Sequence, residues 1–391
     1  MDFEGHSFHT SRWDYQYTGG GPNEPMAGLR DKTVGVIGTG ATAIQVVPSV
    51  ARTAKQLYVF QRTPSPVSYR GNRPTDPNWE DSLQAGWHQG RMDNFTALTS
   101  GYYVEEDLVD DAWTDIMKTI TPSKDGSRSI SPEELELAEM RKMDETRRRI
   151  DTIVDNTQTA EALKPYYHYG CKRPTFSDEY LQSFNQPNVT LVDTNGRGVE
   201  RIGKKGPVAN GTEYAVDCLI FATGFDFMTD HSRETGIDIR GTGGKSLSEH
   251  WSNGMRTCFG IQTHGFPNFL FISYAQSGIT YNYNHLAREQ AGHIAHILSQ
   301  GIKQGIATFE LTEQAEREWV DEVVKLAEPR LVFLDGCTPG YANHEGNRGQ
   351  AYQTNVPYMA GAFVYFDRMA QWRKSGDWPG MDVKKISELT A

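Results

Sequence analysis

The sequence predicts an α/β fold organised around a Rossmann-like nucleotide-binding domain, on three observations. A β-branched run (Val34, Val36, Ile37) enters Gly38-Thr39-Gly40 and gives way to helix-forming sequence. A second apolar run, Leu57–Phe60, follows at the spacing of a βαβ unit. After a long charged stretch, strand-like runs return at Val189–Val192, Tyr214–Phe221 and Phe269–Ser273.

The glycine turn is the first element to justify. Gly38 permits a tight turn, Gly40 lets the backbone approach a phosphate, and Ala43 lets helix and strand pack closely. Thr39, Ala41, Thr42, Ile44 and Gln45 complete the segment whose exposed amides would face a pyrophosphate. The alternative is an ordinary βα turn, because glycine-rich turns are common. An NAD site would carry Asp or Glu at the end of the second strand, to bind the ribose hydroxyls. This chain has Gln61-Arg62-Thr63 there. A guanidinium and a hydroxyl suit a 2′-phosphate, so NADP is the expected nucleotide.

Residues 1–30 are polar, glycine-rich and irregular, and residues 31–75 hold the βαβ start. From about 76 to 165 amphipathic helical sequence takes over, which reads as an insertion in the nucleotide domain. Ser131-Pro132-Glu133-Glu134 is a helix start, with a cap at Ser131 and proline at the first helical position, and the helix should run to about Asn156. Further helices are expected over Asn284–Gln300, about Thr312–Leu326 and Phe363–Arg373, with residues 335–360 loop-like.

A chain of 391 residues is long enough for two domains. Its net charge of −11 argues against general binding to nucleic acid or an anionic membrane surface. No apolar run has the length of a membrane span. Four widely separated cysteines (Cys171, Cys218, Cys258, Cys337) without a CxxC pair fit a reducing compartment, so a cytoplasmic protein is expected. His293 and His296 stand three apart on a predicted helix, yet no HExxH or comparable carboxylate partner accompanies them, and no metal is expected. A GxSxG nucleophile elbow is absent.

Three further segments carry chemistry. Phe3, Gly5, His9 and Trp13, closed by Asp14, fit F-x-G-x-x-x-H-x-x-x-W-[P/D]. Lys172-Arg173 stand in a glycine-flanked loop before Pro174, where two adjacent cations suit an anion, although a surface basic pair is the ordinary alternative. Cys218–Asp226 is a buried-strand run ending in ATGFD, with small residues that would let a cofactor near the backbone.

Together these segments resemble the Baeyer–Villiger monooxygenases, flavoproteins that use FAD and NADPH, and the likeness runs over essentially the whole chain. The resemblance implies a two-dinucleotide-binding-domain flavoprotein architecture: a fingerprint linker over 1–30, an NADP-binding domain over 31–225 with the helical insertion, and the C-terminal part of an FAD-binding domain over 226–391. It implies that Arg173 is the catalytic cation, stabilising the anion that forms on the flavin and its adduct with a ketone. It also implies that Lys172 joins Arg62 and Thr63 at the 2′-phosphate, and that His9 couples the nucleotide domains without donating a proton. Gly265–Ile272 resembles the strand leading to the flavin, while Cys337–Tyr341 and Asn343–Gly346 resemble the active-site loop of the fungal and steroid-acting branches. The implied reaction inserts one oxygen of O2 beside a ketone carbonyl, giving an ester or lactone, in fungal secondary metabolism of terpenoid or polyketide ketones.

The resemblance also implies an FAD-binding GxGxxG segment ahead of the fingerprint, together with the aspartate that pairs with the catalytic arginine. The present chain is therefore expected to be a fragment or a truncated product, with a remnant partnered by another chain as the alternative. Two competing readings stand: a flavin monooxygenase hydroxylating nitrogen or sulfur, and an NADP-binding remnant without catalysis. The final Asp14 and the Lys172-Arg173 pair favour the ketone chemistry.

Overall fold

The structure is a computed structural model that describes residues 2–21, 24–115, 124, 131–225, 231–347, 349 and 351–389. Its contacts divide it into two compact units. The first comprises Met1–Asp81, Asp111–Ile120 and Ile130–Phe225; the second comprises Ser82–Asp110, Thr121–Ser129 and Asp226–Ala391. The helical stretch at 76–165 is thus shared between them.

A five-stranded, wholly parallel sheet forms the centre of the first unit. Its strands are β1 (His6–His9), β2 (Thr33–Ile37), β3 (Gln56–Gln61), β4 (Val189–Asp193) and β5 (Cys218–Phe221), in the spatial order β1-β5-β2-β3-β4. The inner strands are continuous apolar runs, as a parallel sheet covered on both faces requires. Val34, Val36, Leu57, Val59, Leu219 and Ile220 are fully buried. Helix α1 (Ala43–Ala51) follows the glycine turn and packs Val47 and Val50 into the same core. Helix α2 (Pro132–Ile153) begins with a reciprocal capping box between Ser131 and Glu134 and buries Ile150. Glu136, Arg141, Glu145 and Arg148 stand on its exposed face, while Arg147 and Arg149 turn inward to donate to the Pro165 and Ser177 carbonyls.

Two expectations need correction. The strand expected over Tyr214–Phe221 is reduced to Cys218–Phe221, because the Tyr214 and Val216 amides donate to the Pro207 and Lys205 carbonyls and not to the parallel sheet. The sheet gains β1 instead, a short edge strand inside the fingerprint segment, where 1–30 was read as irregular.

Three long helices, α3 (Tyr283–Gln304), α4 (Glu313–Asp335) and α5 (Ala362–Ser375), dominate the second unit, with an antiparallel pair β6 (Ile306–Leu311) and β7 (Met381–Lys385). Its core is aromatic: Trp319 lies 4.7 Å from Phe259 and 4.8 Å from Tyr358, centroid to centroid. The strand expected at Phe269–Ser273 forms no ladder. The segment is pinned by single bonds, Phe271 N–H to the Ile261 carbonyl and Asn268 N–H to the Phe309 carbonyl. No helix among the described residues is long and apolar enough to cross a membrane.

Candidate functional site

The glycine turn joins β2 to α1 through a backbone that only glycine adopts readily. Gly38 has φ +115°, and a Cβ there would press on the Ala222 carbonyl oxygen of β5's exit. Its N–H donates to the Phe60 carbonyl (3.0 Å). Gly38→Ala should therefore lower stability by about 2 kcal/mol or more and abolish dinucleotide binding. Thermal unfolding with and without nucleotide checks this.

At Gly40 the opposite holds: a Cβ would meet nothing within 4 Å, so the space beside it is open. The Gly40, Ala41 and Thr42 amides have no acceptor among the described residues, and Thr42 caps α1 without a side-chain hydrogen bond. Ala43 is fully buried, Ile44 nearly so, and Gln45 folds back to donate to the Ala41 carbonyl (2.7 Å). Unsatisfied amides around an open space at a helix N-terminus fit a pyrophosphate. Among the described residues this is the one strand–glycine turn–helix cradle.

The Thr39 hydroxyl points away from that space and donates to the Thr63 carbonyl (2.9 Å). It thereby ties the turn to the exit of β3. Gln61 is buried there, with Nε2 donating to the Ala162 carbonyl (2.7 Å), while Arg62 is exposed and Thr63 half-buried. Beyond them Val67–Ser68 pairs in parallel with Thr175–Phe176, and Thr175 N–H donates to the Pro66 carbonyl (3.2 Å). This pairing runs the loop after β3 alongside the loop that carries Lys172 and Arg173. Tyr167 makes the second link: its hydroxyl donates to the Pro64 carbonyl (2.6 Å), and the Lys172 ammonium lies over its ring, 5.8 Å from the centroid.

Arg173 does not share that ring. Its guanidinium lies over Trp113, 5.7 Å from the centroid, and Trp113 in turn meets Phe176 edge-on. A ring contact of this kind uses none of the guanidinium's N–H donors. Arg173 is exposed and has no carboxylate partner among the described residues. The Trp113 N–H donates to Asp111, whose other oxygen accepts from Arg70 (2.8 Å). The three successive amides of Arg70, Gly71 and Asn72 converge on the Asp178 carboxylate. Burial pushes that carboxyl's pKa up, but the amides together with Arg149 more than reverse this and hold it low.

The fingerprint residues lie at the sheet edge. Gly5 is required by packing: a Cβ there would collide with the Phe3 ring and crowd the Asp217 carbonyl. Trp13 donates to Thr18 Oγ1 (3.1 Å), and Asp14 caps the following turn by accepting from the Gln16 and Tyr17 amides. His9 reaches across to the ATGFD segment. Its Nδ1 accepts from Ser11 N–H (3.2 Å), so the proton sits on Nε2, which donates to the Gly224 carbonyl (3.0 Å). Phe225 closes edge-on against the same imidazole.

In the second unit Asn343 is buried and committed to its own loop, with its amide facing the Leu334, Cys337 and Thr338 carbonyls and its oxygen accepting from Gly340 N–H. His293 lies edge-on to Phe259 and tilted against Trp372, and burial, then Arg373, lower its pKa to about 3. No cluster of three or more His, Cys, Asp or Glu able to hold a metal occurs among the described residues.

Sequence reasoning missed Trp113 and Tyr167. The aromatic run Tyr166-Tyr167-His168-Tyr169 directly before the Lys172-Arg173 loop was the available signal for one of them.

No protein-family model matches the chain. It is 47% identical over 392 residues to pentalenolactone D synthase of Streptomyces exfoliatus, covering 98% of this chain and 67% of that protein. It is 44% identical over 394 residues to a Baeyer-Villiger monooxygenase of Stachybotrys chlorohalonatus, covering 99% and 63%. Among solved structures, the polycyclic ketone monooxygenase of the thermophilic fungus Thermothelomyces thermophila matches with a TM-score of 0.86 at 38% identity, over 98% of this chain and 64% of that one. The chain spans 62–67% of the length of the curated relatives it matches.

Proposed function

The chain belongs to the family of Baeyer–Villiger monooxygenases, and on that premise we propose that it works as an FAD- and NADPH-dependent monooxygenase of a ketone. The product would be an ester or lactone, and the names of relatives such as pentalenolactone D synthase and ketocytochalasin monooxygenase favour a polycyclic secondary metabolite as substrate. One observation carries the reading most strongly. Thr63 is tied to the glycine turn through Thr39 and Pro64 is tied to Tyr167, whose ring lies under Lys172, so the loop after β3 runs beside the loop that carries Lys172 and Arg173.

The cofactors supply the hydride and activate O2, and the protein binds, orients and excludes water. The Gly40–Ala43 amides would receive the NADP pyrophosphate, with Arg62, Thr63 and Lys172 around the 2′-phosphate. Arg173, over the Trp113 ring, would offer a permanently charged donor fork to the negative charge that develops as oxygen is transferred to the carbonyl. His9 serves as a strut: with Nδ1 accepting from Ser11 N–H and Nε2 donating to the Gly224 carbonyl, it fixes the exit of β5 against the fingerprint strand.

The test is product analysis of the FAD-loaded protein supplied with NADPH, O2 and either a polycyclic ketone or a thioether. Ester or lactone formed in step with NADPH oxidation supports the reading. Sulfoxide alone, with the ketone untouched, would move the protein to the heteroatom-hydroxylating branch.

A further inference from the structure

We infer that Tyr167 is a positioning residue that makes the nucleotide site selective for the 2′-phosphate, by fastening Lys172 to the turn that carries Arg62 and Thr63. The inference rests on the NADP assignment above.

The geometry of Tyr167 joins two segments more than a hundred positions apart in sequence. Its hydroxyl donates to the Pro64 carbonyl at 2.6 Å, the next peptide along from the Thr63 carbonyl that receives the Thr39 hydroxyl. Its ring lies under the Lys172 ammonium. A lysine side chain ordinarily samples many rotamers, and holding it costs entropy that binding must offset. A ring face beneath the ammonium lowers that cost in the free protein without using an N–H donor that a phosphate oxygen would want. Burial pushes the Tyr167 phenol's pKa upward, so the hydroxyl stays a neutral donor at any working pH and the tie to Pro64 persists.

The two halves of the side chain therefore do separable work. The hydroxyl sets the position of the Arg62–Pro64 turn relative to the Gly170–Arg173 loop. The ring sets where the second cation stands. Neither group is placed to touch the part of the dinucleotide that NAD and NADP have in common, which lies on the glycine cradle. The effect should appear as lost discrimination between them, with basal dinucleotide binding left intact.

The experiment is calorimetric titration of the full chain with NADP+ and, separately, NAD+, for the wild type, Arg62→Ala, Tyr167→Phe and Tyr167→Leu. Tyr167→Leu should weaken NADP+ binding about five- to tenfold and leave NAD+ binding within about twofold. Tyr167→Phe, which keeps the ring but loses the tie to Pro64, should fall between the wild type and Tyr167→Leu. Equal weakening of both nucleotides by Tyr167→Leu would mean a merely structural role and overturn the inference. So would an unchanged NADP+/NAD+ ratio in Tyr167→Leu alongside a collapsed ratio in Arg62→Ala, an outcome that leaves the site assignment standing. A wild type that binds NADP+ and NAD+ equally would overturn the site assignment and this inference together.

Discussion

Arg173→Ala in the FAD-loaded protein is expected to lower ketone oxygenation by about two to three orders of magnitude, the usual cost of removing one preorganised donor from a developing anion. NADP+ affinity should change by no more than about threefold, since Arg173 rests on Trp113 and not on the Tyr167 ring beside Lys172. Arg173→Lys should recover only part of the loss. An ammonium keeps the charge but lacks the planar fork, and it stacks less well on an indole. Product yield from a cyclic ketone, read beside NADPH consumption and a calorimetric NADP+ titration, separates these outcomes. Equal loss of product and NADP+ affinity would reassign Arg173 to nucleotide binding.

Glu316→Gln is expected to destabilise the second unit by about 3 kcal/mol, for a reason independent of the nucleotide site. Glu316 is 1% exposed, yet it stays charged. Arg256 Nε donates to one oxygen (3.1 Å), while His250 Nε2 (3.2 Å), the Thr263 hydroxyl (2.8 Å) and the His264 amide (2.8 Å) surround the other. One carboxylate on α4 thus ties down three stretches of loop. Burial pushes its pKa up, but His250, the His264 amide and Thr263 outweigh that and bring it to about 2. A folded-state pKa below the ordinary 4.5 gives a stability contribution that is complete above about pH 4.5 and lost as pH falls towards 2. Wild type and Glu316→Gln should therefore differ most at neutral pH and converge in acid. Thermal unfolding across that range checks it, with a fall in Tm of roughly 5–10 °C expected near pH 7.

Patterns confined to neighbouring residues were legible in the sequence. The β2–turn–α1 unit was readable because its strand, glycines and helix lie within one short window, each demanded by local backbone geometry. The Ser131 cap was readable for the same reason. Phe269–Ser273 was misread because a β-branched and aromatic run records suitability for a sheet, while pairing depends on a distant partner. β1 went unseen because its four residues have no alternating pattern of their own and owe their conformation to β5. In the site, Lys172 and Arg173 could be picked out by type, but the platform under Arg173 could not, since Trp113 lies some sixty positions away. Nothing in the local sequence singles out Glu316 among the charges of α4, and only the folding of residues 250–264 around it reveals a buried hub.

Amide hydrogen exchange of the full chain with and without saturating NADP+ tests the central claim most directly, namely that the glycine cradle and the two basic loops form one NADP site. Slowed exchange is expected at residues 38–45, above all at the acceptor-less amides of Gly40, Ala41 and Thr42, and at 61–64 and 170–173. NAD+ should protect the first of these segments and leave the other two largely unchanged. Slowing confined to residues 231–389, or its absence at 38–45 under saturating NADP+, would contradict the account.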